Sequence, residues 1–124
     1  MYYTDLAFLV GRLIFGGYFV MAAVRHLLTQ RTAMVGYAKM KKAPMPDIAV
    51  PATGILLLLG GLGIIFWIYA FWAILALLLF LIPTSFIMHA YWRESDANMK
   101  MGDQINFWKN MALVGALLMF LSLL

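Results

Sequence analysis

Between Ile48 and Met88 the chain runs for 41 residues without one Lys, Arg, Asp, Glu or His. A helix needs about 20 apolar residues to cross the hydrocarbon of a bilayer, so this stretch predicts two crossings. The turn between them is marked by Phe66, Trp67, Tyr69, Phe71 and Trp72, rings of the kind that gather at the headgroup level. Residues 48–66 and 69–88 thus form a transmembrane hairpin. Two further apolar segments flank it. Residues 6–24 are long enough to span and lack the basic start and small-residue cleavage site of a signal peptide; residues 106–124 are about one bilayer thick as a helix. The expectation is an all-α, polytopic membrane protein: one domain over residues 1–124, built as a four-transmembrane-helix bundle.

Composition agrees. The chain of 124 residues is 65% hydrophobic and 11% charged, too little polar surface for a soluble domain of that size. The formal charge of +4 resides in loops and forms no stripe with exposed aromatics, so anionic lipid is the expected partner and nucleic acid is not. With no cysteine, disulfides, thiolate metal sites and thiol redox chemistry are excluded.

Charge also sets orientation. Arg25, Arg31, Lys39, Lys41 and Lys42 lie between the first two spans, and Arg93, Lys100 and Lys109 between or just inside the last two, which is eight of the nine cations. The positive-inside bias places residues 25–47 and 89–105 in the cytoplasm and both termini outside a plasma (inner) membrane. In the first loop, the spacing of Ala33, Met34, Tyr37, Ala38 and Met40 against the basic residues from Gln30 to Lys42 suits a short helix in the headgroup plane. Pro44 and Pro46 end it, and Asp47 is placed to cap the second span. Glu94, Ser95, Asp96 and Asn98 read as a solvated turn.

Few side chains in or beside hydrocarbon can carry chemistry. Arg12 lies near the middle of the first span, where insertion of a cation costs roughly 2.5 to 3.5 kcal/mol. It turns into the bundle toward carbonyls, water or Asp5, or it meets a ligand. A second set comprises Thr84, Ser85 and His89 on the third span, Lys109 and Asn110 on the fourth, and Arg25 with His26 at the exit of the first. Pro83 removes a backbone donor and frees carbonyls at that depth. With Trp92 one turn beyond His89, these groups suit a flat, greasy, carbonyl-bearing molecule such as a quinone. His89 and Lys109 are the best candidates for catalytic groups, and Arg12, Ser85, His89, Trp92, Lys109 and Asn110 for binding. Plainer roles compete: interfacial histidine, aromatic belt, a snorkelling lysine. A bis-imidazole haem on His26 and His89 and a thioether copper site at Met99 and Met101 are disfavoured, since packing explains the methionines. No other metal site is expected. Gly60, Gly61 and Gly63, with Gly11, Gly16 and Gly17, allow close helix approach and permit a homodimer.

Gly11-Arg12-Leu13 with Gly16, the Ala43-Pro44-Met45-Pro46 lead-in to the second span, Gly60-Gly61, His89 with Trp92, and Asn106-Phe107-Trp108-Lys109-Asn110-Met111-Ala112-Leu113 with Gly115 resemble the DoxX family. The resemblance implies a compact four-helix membrane protein related to subunits of a thiosulfate:quinone oxidoreductase and to membrane components of oxidative-stress complexes. Many relatives carry a glutamate where this chain has Leu57, which would leave Arg12 without a counter-ion at that depth; water, the Tyr18 hydroxyl or a ligand oxygen would then replace it. The preferred functional reading is a membrane subunit of a redox-linked pathway that binds a quinone-like molecule, with electron transfer supplied by a protein partner, as in an accessory subunit of a quinone-linked oxidoreductase. A non-enzymatic scaffold or assembly factor and a carrier of a small hydrophobic solute are the alternatives.

Overall fold

The computed structural model describes residues 5–124; the extracellular tail expected at residues 1–4 lies outside them. The chain is all-helical: α1 (Leu6–Val24), a π-helical turn (Arg25–Thr29), α2 (Arg31–Met40), α3 (Pro46–Phe66), α4 (Ala70–Met88), a 3₁₀ turn (Tyr91–Arg93) and α5 (Ala97–Leu121). Helices α1 and α4 pack on α3, α5 packs on α4, and α2 lies across the start of α3. Side chains of α1 and α5 also meet, Phe15 edge-on to Phe120 at 5.1 Å between ring centres.

Every large apolar helix has one buried stripe and one bare side. Phe19, Leu57, Ile64, Ile74, Leu77, Leu81 and Leu117 fill the interior. Ile14, Leu59, Leu79 and Met119 stay 60–70% exposed, a belt that water would not tolerate and lipid tails would cover. Among the described residues three helical segments are long and apolar enough to cross a membrane: Leu6–Thr29, Pro46–Phe66 and Ala70–Arg93.

Glycine sets how closely the helices approach. A Cβ on Gly16 would meet the Gly61 carbonyl oxygen at 2.7 Å, and one on Gly61 would meet the Gly16 carbonyl oxygen at 2.9 Å. These backbones touch because neither residue has a side chain. The hairpin turn is made without glycine, with Trp67 and Tyr69 both left-handed at φ 53° and 51° and Trp67 closing α3 through its N–H to the Gly63 carbonyl.

Three boundaries differ from expectation. The first span does not stop at Val24 but continues into the π turn. The last helix begins at Ala97, nine residues before 106, because the Asp96 carboxylate accepts from Met99 N–H at 2.9 Å and caps it there. Its first turns are polar, so α5 is a two-part helix. Asp47 does not cap α3: Met45 holds that position, Pro46 opens the helix, and Asp47 stands exposed in the first turn beside Lys39 at 3.8 Å. Its charge still suits the helix start.

Candidate functional site

A cavity of about 380 Å³ opens at the loop end of the bundle, between α2, the π turn, α3 and α4. Its walls are mostly apolar, from Met34, Ala49, Val50, Phe80, Pro83 and Ile87, with His26, Tyr37, Thr53, Thr84 and His89 as the polar groups. Exposed Leu79 and Pro83 form part of its rim, so it is reached from the side of the bundle.

The π turn brings His26 there. A π turn holds one residue more than an α turn, and this one, Arg25–Thr29, carries His26 against α3. Gly54 makes room, since a Cβ would meet His26 Cβ and Leu27 Cγ at 2.9 Å. His26 Nδ1 lies 3.2 Å from the Val50 carbonyl and 3.1 Å from Thr53 Oγ1, and its ring stands edge-on to Phe80 at 5.6 Å. Thr53 in turn donates to the Ala49 carbonyl at 2.7 Å.

On the opposite side an ionic cluster holds His89. The Lys41 ammonium donates to Asp103 Oδ2 and lies 3.5 Å from Glu94, while His89 Nδ1 is 3.4 Å from Asp103 Oδ1. Asp103 is 4% exposed, so its charge is matched within the protein rather than by water. Burial works against the Lys41 ammonium, but the Asp103 bond and charge and the Glu94 bond, with the Tyr37 phenolate once that group ionises at alkaline pH, outweigh it and raise its pKa. Burial also raises the Tyr37 phenol, against the pull of Lys41 and with Asp103 and Glu94 adding to it, so the phenol keeps its proton at neutral pH. The cluster ties α2, the segment after α4 and α5 into one rim.

The other expected site residues are distributed elsewhere. Arg12 is about 14 helix positions from His26, roughly 21 Å along the axis, and lines no part of the cavity. Its guanidinium lies 5.2 Å from the Phe8 ring, and its Nε is buried without a hydrogen-bond partner. Leu57 is not at its depth: the contacts of Gly16 with Gly61 and Ile65, and of Gly54 with His26, set Leu57 near the level of Ala23. A glutamate there would not reach Arg12. Nor does Tyr18 replace it, because the Tyr18 hydroxyl accepts from Lys109 at 3.2 Å. Lys109 is exposed and outside the cavity, so it and His89 do not face a common space. Ser85 is buried and donates back to the Leu81 carbonyl at 2.6 Å. Trp92 joins Phe86, Tyr91 and Phe107 in an aromatic cluster, and Asn110 is buried on α5; neither lines the cavity.

Lys41, Asp103, Thr53 and Tyr37 were not singled out as site residues from the sequence. Asp103 had a readable signal: it shares the spacing of Phe107, Asn110 and Leu117, the buried stripe of α5. Among the described residues, no group of three or more His, Asp or Glu is arranged to hold a metal ion.

The family model described as DoxX matches residues 7–90. That range takes in α1 to α4 and both cavity histidines, and ends before α5. Comparison with curated proteins and with solved structures gave no match.

Proposed function

The chain belongs to the DoxX family, and from that premise we propose that it is a multi-pass membrane subunit holding a flat hydrophobic molecule of the quinone type in the cavity beside His26 and His89. The observation that carries this reading is the cavity itself: about 380 Å³, apolar on most of its wall, with a few polar groups on facing walls and an opening on the side that lipids would occupy. A ring enters from the bilayer and its oxygen substituents meet the imidazoles, Thr84 and the Tyr37 phenol.

In this reading α5 is the fourth span, with its polar first turns beyond the hydrocarbon, and α2 lies in the headgroup plane. The basic loops then face the cytoplasm and anionic lipid, and both termini face outward across a plasma membrane. Electrons come from a protein partner, since the chain has no cysteine and the cavity's side chains are not electron carriers. Lys109, Trp92 and Asn110 serve packing and the interface rather than the ring.

The test is native mass spectrometry of the protein released from its own membrane. A retained isoprenoid quinone at one per chain is the expected result. A protein that carries only phospholipid, or a stoichiometric partner with no small molecule, speaks for the scaffold instead.

A further inference from the structure

We infer that the cavity selects the hydroxyl-bearing, reduced form of its ring ligand over the carbonyl form, because both of its histidines present an unprotonated Nε2. This rests on the cavity reading above and adds the chemical class that fits best.

The protein's own acceptors fix where each imidazole proton sits. A carbonyl oxygen only accepts, so at 3.2 Å from Val50 O the His26 Nδ1 must carry the hydrogen. The hydroxyl of Thr53 does not supply it, since its one proton points to the backbone carbonyls of Ala49 at 2.7 Å and Val50 at 3.0 Å. For His89 the partner is Asp103, whose carboxylate is paired with Lys41 and likewise only accepts. His89 Nδ1 therefore donates to Asp103. A neutral imidazole has one N–H, which leaves Nε2 of each ring as a lone pair. Among the described residues neither Nε2 has a hydrogen-bond partner, and neither is sealed from a water-sized probe. Both rings line the cavity.

Two imidazole acceptors thus stand in the lining beside groups that can either donate or accept. Thr84 and the protonated Tyr37 phenol are neutral in this choice, since a hydroxyl both donates and accepts. A quinone brings only further acceptors, so its carbonyls would oppose the imidazole lone pairs. A hydroquinone or phenol brings O–H donors that satisfy them. Asp103 is thus a positioning residue: it acts through the tautomer of His89 and does not touch the ring. The same arrangement, an imidazole held at Nδ1 by a carboxylate or carbonyl, also orients metal-binding histidines, but two such rings without further ligands leave a metal undercoordinated.

The experiment uses the full chain in lipid nanodiscs under nitrogen, titrated with tetramethyl-p-benzoquinone and with tetramethylhydroquinone, and isotope-edited nitrogen NMR of its two histidines. The expected result is at least about tenfold tighter binding of the hydroquinone, with Nδ1 protonated and Nε2 free in both rings. In Asp103→Asn the His89 ring is released to take the other tautomer, so its nitrogen signals change, those of His26 stay, and the preference falls. Equal or tighter binding of the quinone overturns the inference and leaves the cavity reading standing. A protonated Nε2 on either ring in the wild type overturns it as well, without need of any variant. Binding of neither compound overturns both.

Discussion

Helices α3 and α4 enclose two grooves of nearly equal volume, about 390 Å³ beside the hairpin turn and about 380 Å³ at the loop end. The first is walled by Leu59, Leu62, Phe66, Ile68 and their neighbours, and its polar side-chain groups are the Tyr69 phenol and the Trp72 indole, both of the kind that sits at a headgroup level. The second has two imidazoles and two threonines among its walls. Volume therefore does not distinguish a site from a gap between helices; convergent polar groups held by the protein do. The ends differ in their means of closure too. Around the hairpin, Phe8, Trp67 and Phe120 pack edge to face, while the loop end is joined by the buried Lys41–Asp103 pair.

Breaking that pair is the largest expected effect. Lys41→Met strands the Asp103 charge beside Glu94, and loss of one partner of a buried pair costs on the order of 3 to 5 kcal/mol; a fall in the thermal unfolding midpoint checks it. Replacing both, Lys41→Met with Asp103→Leu, recovers most of the loss if the pair confers position rather than stability. The sign with pH follows from the raised Lys41 and Tyr37 pKa values. Their contribution is whole below the ordinary lysine and tyrosine ranges and is lost as pH climbs through the raised values. Lys41→Met removes the lysine's part of that alkaline loss and, because Lys41 holds the Tyr37 phenol down, leaves the tyrosine's part larger; pH titration of the unfolding midpoint in Lys41→Met and in Tyr37→Phe separates the two.

Filling each groove in turn compares them directly. Ala49→Phe occupies the loop-end cavity and should weaken tetramethylhydroquinone binding at least about tenfold, roughly 1.4 kcal/mol, whereas Ala76→Phe in the hairpin groove leaves it unchanged. Binding isotherms in nanodiscs decide this. Arg12→Leu removes a buried Nε that has no partner and should raise stability by about 1 kcal/mol with no loss of binding. A loss of binding would connect the two ends after all. The smallest effect belongs to Tyr69, 80% exposed and left-handed: Tyr69→Gly relieves that backbone cost and should stabilise by up to about 1 kcal/mol in a denaturation curve.

Much of the fold was legible because hydrocarbon leaves few choices. The charge-free run and its aromatic break locate α3, the turn and α4 to within two residues. The start of α5 was not legible as an apolar boundary, since a capping aspartate and not hydropathy sets it. The candidate site was half legible. His89 and the level of Pro83 follow from sequence position, but depth alone placed Lys109 and Ser85 with them. Which way each side chain turns depends on helix phase and on partners far along the chain, as with Lys41 and Asp103, 62 positions apart. No local pattern encodes such a pairing.

The turn at Arg25–Thr29 gives the cavity an unusual vulnerability. Because one surplus residue lies in that single coil, deleting a residue there would let it close as ordinary α-helix and unseat His26 from the Val50 carbonyl and the Thr53 hydroxyl. That shortening falls within the apolar segment Leu6–Thr29 but leaves α3 and α4 whole. The seat of one imidazole thus hangs on a single surplus peptide unit, whereas the length of the two central apolar helices does not.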